Sequence, residues 1–255
     1  MARESEPGLL LRRFPYGESS LIAHVLVRSG RRIHLMARGA FRPKSRFFGT
    51  LDLFDTLDLT WTTRPSSGLA ELTAADVQVT RRSLCHDLAR YRAAHAGLEL
   101  VQLAAREGGR EPRLFAALEG LFDHLGDPAR QPGVERIAFN LELLGALGLA
   151  PALETCATCA KPAPAVEPGR AAFSAAAGGR LCANCAARER SQGVRVGTLP
   201  LEVLAGAALL LHTPAAERAL LPSPPPKLFR ELVDFVYCFL EYHLETRLRV
   251  RLPHP

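Results

Sequence analysis

A chain of 255 residues, 47% hydrophobic and 23% charged, is ordinary for a soluble globular protein and long enough for two domains. Its longest apolar run, about Val203 to Leu211, falls well short of the ~18 residues a membrane span needs, and Leu9-Leu10-Leu11 is too brief for a signal-peptide core, so a cytosolic chain is expected. The formal net charge is +6, yet the first fifty residues hold ten Arg or Lys against three acids, so everything after Thr50 sums to about neutral.

Residues 8–80 read as β-structure. Leu21 to Val27 is rich in branched apolar residues and ends at Ser29-Gly30, a turn signal; Arg31 to Ala37 follows, so the two runs predict a hairpin. Arg38 to Thr50, with Gly39, Pro43 and Gly49, reads as a loop. From Leu51 to Trp61 the odd positions are mostly apolar and the even ones mostly Asp or Thr, which predicts a half-buried strand. Asp52, Asp55 and Asp58 then alternate faces and belong to its solvent side rather than to a metal site. Arg64 to Gly68 is a turn signal, and Leu69 to Val79 can return as another strand. Five short strands fit a small antiparallel barrel of the OB type, a fold whose face and loops commonly hold single-stranded nucleic acid.

Helices take over after Ser83, which is placed to cap a helix running to about Arg106, before a break at Glu107 to Arg110. Pro112 starts a second helix with an apolar stripe from Leu114 to Leu125. Val134–Leu149, Glu202–Leu211 and Lys227–Leu248 make three more. The expected architecture is α+β: an OB-fold barrel over residues 1–80, and a helical domain over 81–255 with an inserted cysteine module at about 152–190.

That insertion carries Cys156-x-x-Cys159 and Cys182-x-x-Cys185, with 22 residues between the pairs. Two thiolates on one knuckle turn chelate one ion, and a second knuckle closes a tetrahedral shell, so the spacing predicts a structural zinc ion. Disulfides do not suit a cytosolic chain, and two redox Cys-x-x-Cys copies around one loop are less expected than a metal. Zinc knuckles often have Gly after the second Cys; Ala160 and Ala186 stand there instead. Cys85 and Cys238 read as helical residues with no assigned chemistry. No phosphate-binding loop, nucleophile elbow or His-Glu-x-x-His pair occurs, and His86, His95, His124 and His243 lack a partner in sequence, so nothing recommends an enzyme.

The positive surplus peaks at Arg31, Arg32, Arg38, Arg42, Lys44 and Arg46, interleaved with Phe41, Phe47 and Phe48. Like charges so gathered suit a polyanion, because each bound phosphate releases condensed counterions. Arg12 and Arg13, on opposite faces of a strand, offer at most one further contact. The phenylalanines either stack on bases or plug the end of the barrel.

Tyr16-Gly17-Glu18-Ser19-Ser20, the Gly30 turn, Ala37-Arg38-Gly39-Ala40 and Arg42-Pro43-Lys44-Ser45-Arg46 resemble the N-terminal domain of the bacterial DNA repair and recombination protein RecO family. Phe139 to Leu144, Leu147-Gly148-Leu149, Pro151, the cysteine pairs with Phe173 and Gly178-Gly179 between them, and the tail Phe229 to Leu232 with Tyr242-His243-Leu244 and Arg247 extend the likeness over nearly the whole chain. Ser20 stands where many members have Asp. The resemblance implies an OB fold, a helical domain, a zinc module and no catalysis. It implies binding of single- and double-stranded DNA and annealing of complementary strands. It also implies that RecR is a partner in loading RecA, that the acidic tail of the single-stranded-DNA-binding protein (SSB) is another, and that the protein works at the nucleoid. The alternative is a protein-interaction scaffold. There the helices after residue 83 take an acidic-hydrophobic peptide whose carboxylate is read by Arg81, Arg82, Arg90 or Arg92. A Mg2+-dependent nuclease is a third and poor reading.

Overall fold

The computed structural model describes residues 2–63, 68–106 and 108–248. Most of the expected turn at Arg64 to Gly68, and Glu107 of the expected helix break, lie outside the described residues. The chain packs as two units, Met1–Pro128 and Ala129–Pro255.

In the first unit β1 (Ala2–Tyr16), β2 (Ser20–Val27), β3 (Arg32–Ala37), β4 (Thr56–Thr63) and β5 (Ala70–Val79) close a barrel in the order β1-β2-β3-β5-β4. The long β1 makes closure possible. Its first half pairs with β4, from Ala2↔Thr63 to Leu9↔Thr56, and its second half with β2, from Gly8↔Val27 to Tyr16↔Ser20. The two halves meet at Gly8, where a Cβ would lie 2.7 Å from Leu59 Cδ1 and 2.8 Å from Val25 Cγ1, so a larger residue would have to displace those core side chains. The expectation of a wholly antiparallel barrel is corrected: β3 and β5 run parallel, pairing Leu35↔Ala70 and Met36↔Glu71. Strand parity requires it, because an odd number of strands cannot close a ring with every neighbour reversed. Leu10, Val25, Leu35, Leu57, Leu59 and Trp61 fill the interior.

The strand expected from Leu51 begins only at Thr56. Phe54 takes φ +74° and turns the chain, and Asp55 is corrected from surface to core, at 1% exposure. Its carboxylate accepts the Arg81 N–H at 2.7 Å. The Arg81 guanidinium donates to Phe54 O, Thr56 Oγ1 and Asp123 Oδ1, so the buried guanidinium is satisfied, while Asp55 Oδ2 is buried without a hydrogen-bond partner. Ser83 is likewise not a cap. It lies in a 3-10 turn, Arg82–His86, and Asp87 caps α1 (Leu88–Ala104) by accepting from Arg90 N at 3.0 Å. The second helix, α2 (Pro112–Gly126), starts at its proline and buries Leu114, Phe115, Leu118, Leu121, Phe122 and Leu125.

The second unit holds α3 (Pro132–Ala146), β6 (Arg170–Ser174), β7 (Gly179–Leu181), α4 (Ala183–Ser191), β8 (Gly197–Pro200), α5 (Leu201–His212) and α6 (Pro226–His243). The last helix stops before the expected Leu248, and Glu245 takes φ +50° just beyond it. The strands form a small antiparallel sheet, β7-β6-β8. Buried Glu135 accepts from Arg130 at 2.9 Å and Arg218 at 3.4 Å, and Arg218 also bonds Glu142. Among the described residues no helix is long and apolar enough to cross a membrane.

Gly30, in the β2–β3 turn, sits at φ +81°, and a Cβ there would meet the Glu111 carbonyl carbon at 2.2 Å. Gly30→Ala is therefore expected to destabilise the first unit by at least ~2 kcal/mol, since backbone must move to admit the methyl. Urea unfolding followed by the fluorescence of the single, buried Trp61 measures this; an unchanged midpoint would contradict the packing described.

Candidate nucleic-acid surface and metal centre

The chain leaves the barrel at Ala37 and returns at Leu51. Between them it runs through successive tight turns: Arg42 N donates to Gly39 O, Ser45 N to Arg42 O, Phe48 N to Ser45 O and Thr50 N to Phe47 O, at 2.9–3.2 Å. Two tethers hold the start of the loop, Gly39 N to Ser20 Oγ at 3.2 Å and Phe41 N to Ser19 O at 2.9 Å. Ser20 supplies that acceptor with its hydroxyl. Ala40, Phe47 and Leu51 point into the barrel core. Phe47 is thus the plug, 4% exposed, whereas Phe41 and Phe48 stand out at 49% and 65%.

With Ala40, Phe47 and Leu51 turned inward, Arg42, Lys44 and Arg46 face solvent. None of the three makes an ion pair or side-chain hydrogen bond among the described residues; Arg46 lies over the Phe47 ring at 5.2 Å. Arg38 is also exposed and pairs with Glu71 at 3.1 Å. Such a surface pair contributes about 0–1 kcal/mol, little enough for a phosphate to displace.

The other two candidates are separated from this loop by the length of β3, about 17 Å for five residue steps. Arg31 bonds Glu4 at 2.6 Å and Glu6 at 2.9 Å. Burial opposes the charge on both Glu6 and Arg31, but the Ser29 N–H and Arg31 hold Glu6 below the usual carboxylate range, and the two glutamates raise Arg31. Arg32 is half-buried and donates to Gln102 O at 2.9 Å. Of the weaker candidates, Arg13 is spent on Asp52 and Leu51 O, and Arg12 stacks on Phe14. Both are exposed, and their consecutive pairing, Arg12↔His24 and Arg13↔Ala23, keeps them on opposite faces of β1. Sequence reading missed Arg82, which reaches Gly49 O at 3.2 Å and joins the basic loop from outside it.

In the second unit the Sγ atoms of Cys156, Cys159, Cys182 and Cys185 all lie within 4.8 Å of one another. Cys182 comes at the end of β7 as the N-cap of α4, and Cys185 sits in that helix's first turn. Ala157 N donates to Arg180 O at 2.8 Å, tying the first knuckle to the strand that delivers the second. Ala160 takes the left-handed turn usual for glycine, φ +57°, with its N–H on Cys156 O, whereas Ala186 is helical and needs no such turn. Ala163, Ala172, Leu181 and Ala186 pack around Cys156 and Cys185, a small core the composition did not foretell.

Burial resists ionisation of Cys156, but the N–H groups of Cys182, Cys159 and Thr158 point at its sulfur and hold the thiol at about 6. Cys185 is pushed the other way, by hydrogen bonding with Cys182, by burial and by its neighbouring sulfurs. One thiolate therefore forms readily while the four together repel, which is the charge pattern a divalent cation relieves. A four-thiolate tetrahedron with metal–sulfur bonds of 2.3 Å needs S···S distances of about 3.8 Å; Cys159 and Cys182 are already 3.9 Å apart. The donor set fits a metal ion, and four protein ligands leave no place for water. Asp52, Asp55 and Asp58 join no group of three potential ligands among the described residues.

Comparison with known proteins assigns the chain to a family. Residues 1–80 match the family described as Recombination protein O N terminal, and residues 85–252 match Recombination protein O C terminal. The DNA repair protein RecO of Anaeromyxobacter dehalogenans (strain 2CP-1 / ATCC BAA-258) is 34% identical over 252 residues, covering 98% of this chain and 95% of that protein. The DNA repair protein RecO of Streptomyces avermitilis is 31% identical over 96% and 95%, and that of Myxococcus xanthus (strain DK1622) 30% over 98% and 96%. The chain belongs to the RecO family, which supports a role in DNA repair and recombination.

Removing one sulfur should break the metal shell. Cys159→Ser is expected to lower bound metal from about one ion per chain to well below half, with loss of the second unit's protection from proteolysis around α4. Elemental analysis of the purified protein and limited digestion measure the two effects; full metal content in the variant would contradict a four-thiolate site.

Proposed function

We propose that this RecO-family chain is a non-catalytic mediator of DNA repair that binds single- and double-stranded DNA and anneals complementary strands. Together with RecR it helps load RecA onto SSB-coated single strands. The observation that carries the reading is the loop after β3: Arg42, Lys44 and Arg46 are exposed, without ion pairs, and anchored to an OB barrel. Family membership supports the partners RecR and the acidic SSB tail, and work in the cytoplasm at the nucleoid. The ion of the four-cysteine site is zinc, whose preference for closed tetrahedral thiolate shells matches the donors, and its role is structural.

Annealing needs no bond chemistry. Two strands must be held close, their repulsion screened and their bases left free to pair. Unpaired cations on the loop neutralise phosphates without first breaking protein contacts. Arg38 joins them by exchanging Glu71 for phosphate. Arg31 and Arg32, engaged with Glu4, Glu6 and Gln102 O, add to the field rather than grip the strand. Exposed Phe41 and Phe48 can each stack a base, at about 1–3 kcal/mol per contact. The scaffold reading is the weaker one, because Arg81 and Arg90, two of the cations it would use, are spent on protein oxygens.

Replacing Arg42, Lys44 and Arg46 together by Ala is expected to weaken binding of an oligonucleotide and to flatten the log-log salt dependence by roughly 2–3 units. Fluorescence anisotropy across a salt series measures the slope; an unchanged slope would remove the loop from the footprint. Affinity should vary little with sequence, since phosphates carry no sequence information.

A further inference from the structure

The second unit contains a cavity of about 400 Å³ between the β6–β8 face and α6 that the DNA and metal sites leave unused. Phe173, Phe235, Phe239, Leu199, Pro200 and Val203 form its walls. The Phe173 ring meets Phe235 edge-on at 5.2 Å and Phe239 at 5.9 Å, so the aromatic wall is fixed by its own packing. The rim is acidic. Glu231 and Asp234 line it, one turn apart on α6.

These carboxylates are poorly compensated. Glu231 has one oxygen 4.0 Å from Lys227, and its Oε2 is buried with no hydrogen-bond partner. An i,i+4 pair of that length compensates the carboxylate only weakly. Asp234 is exposed and makes no ion pair among the described residues. Arg170, the cation in the lining, is turned to Thr198, donating to Oγ1 at 2.9 Å and to the carbonyl at 2.8 Å. Apolar walls under an undercompensated acidic rim disfavour a phosphate backbone and an acidic tail alike. They suit a positive group on an apolar stem.

We propose that this cavity docks a basic, apolar-flanked segment of a partner protein. A Lys or Arg head sits against Glu231 and Asp234, and its stem and neighbouring apolar residues lie on the phenylalanine wall. The surface is separate from the DNA loop of the first unit, so its failure would leave the DNA reading standing.

The probe is the labelled peptide acetyl-Leu-Arg-Leu-Lys-Leu-amide, followed by anisotropy at low salt with the full-length protein. Acetyl-Leu-Glu-Leu-Asp-Leu-amide serves as the reverse-charge control. The basic peptide is expected to bind and the acidic one not. Glu231→Gln with Asp234→Asn should weaken binding about fivefold to tenfold, while the DNA salt slope stays as in the parent. Cys238, an exposed thiol in the cavity lining, gives a local readout: in a Cys85→Ser background the peptide should slow its alkylation. No binding, tighter binding of the acidic peptide, undiminished binding by the double variant, or unprotected Cys238 would each overturn the proposal.

Discussion

Phe47 in the end of the barrel is the contact on which the proposed DNA surface depends. A five-stranded barrel has an open end, and the thirteen residues from Arg38 to Thr50 close it by sending Ala40 and Phe47 inward. Burying a phenylalanine contributes about 1.5–3 kcal/mol. Two cations about 8 Å apart in water repel by about 0.5 kcal/mol before screening, and by less at physiological salt. The plug therefore outweighs the repulsion it creates, and a cluster of like charges persists in a folded loop. The same geometry explains why the cations lack partners: the acids nearest in sequence are committed elsewhere, Asp52 to Arg13 and Asp55 to Arg81.

The two clusters of charge in this protein are handled in opposite ways. In the barrel unit Arg42, Lys44 and Arg46 remain solvated and available, which keeps the cost of gathering them small and their value to a polyanion large. At the cysteine site four sulfurs crowd together, two of them buried, and a cation would relieve their mutual repulsion. Glu135 with Arg130 and Arg218 is a third arrangement, an ion-pair network closed on itself, with nothing left over to bind. Availability, not charge count, distinguishes a binding surface from a structural one. By that measure Arg31, for all its place in the basic stretch, belongs to the barrel's own frame.

Much of this was legible in the sequence because it is local. The β2–β3 hairpin follows from two branched apolar runs around Ser29-Gly30, the proline-led α2 from its apolar stripe, and the metal ligands from two Cys-x-x-Cys pairs. What escaped depends on distant partners. The parallel β3–β5 pair is a consequence of ring parity. Asp55 falls at an odd, core-side position but reads as exposed because it is a carboxylate; it is buried because Arg81, 26 residues later, meets it. The register shift between Leu10 and Arg12 left no mark in the sequence pattern. The small sheet of the second unit hid in an Ala- and Gly-rich stretch whose side chains carry almost no periodic signal. The six basic candidates looked equivalent in sequence, and the acids and carbonyls that set Arg31 and Arg32 apart lie on β1 and α1.

In the function proposed, charge on a pinned loop brings two polyanions together with no reaction on either. The most direct measurement is the rate at which complementary fluorescent oligonucleotides form duplex in dilute buffer with the purified protein. The rate should rise well above that of the bare strands and fall back as salt is raised. Pairing no faster than in buffer alone, or acceleration indifferent to salt, would contradict the account.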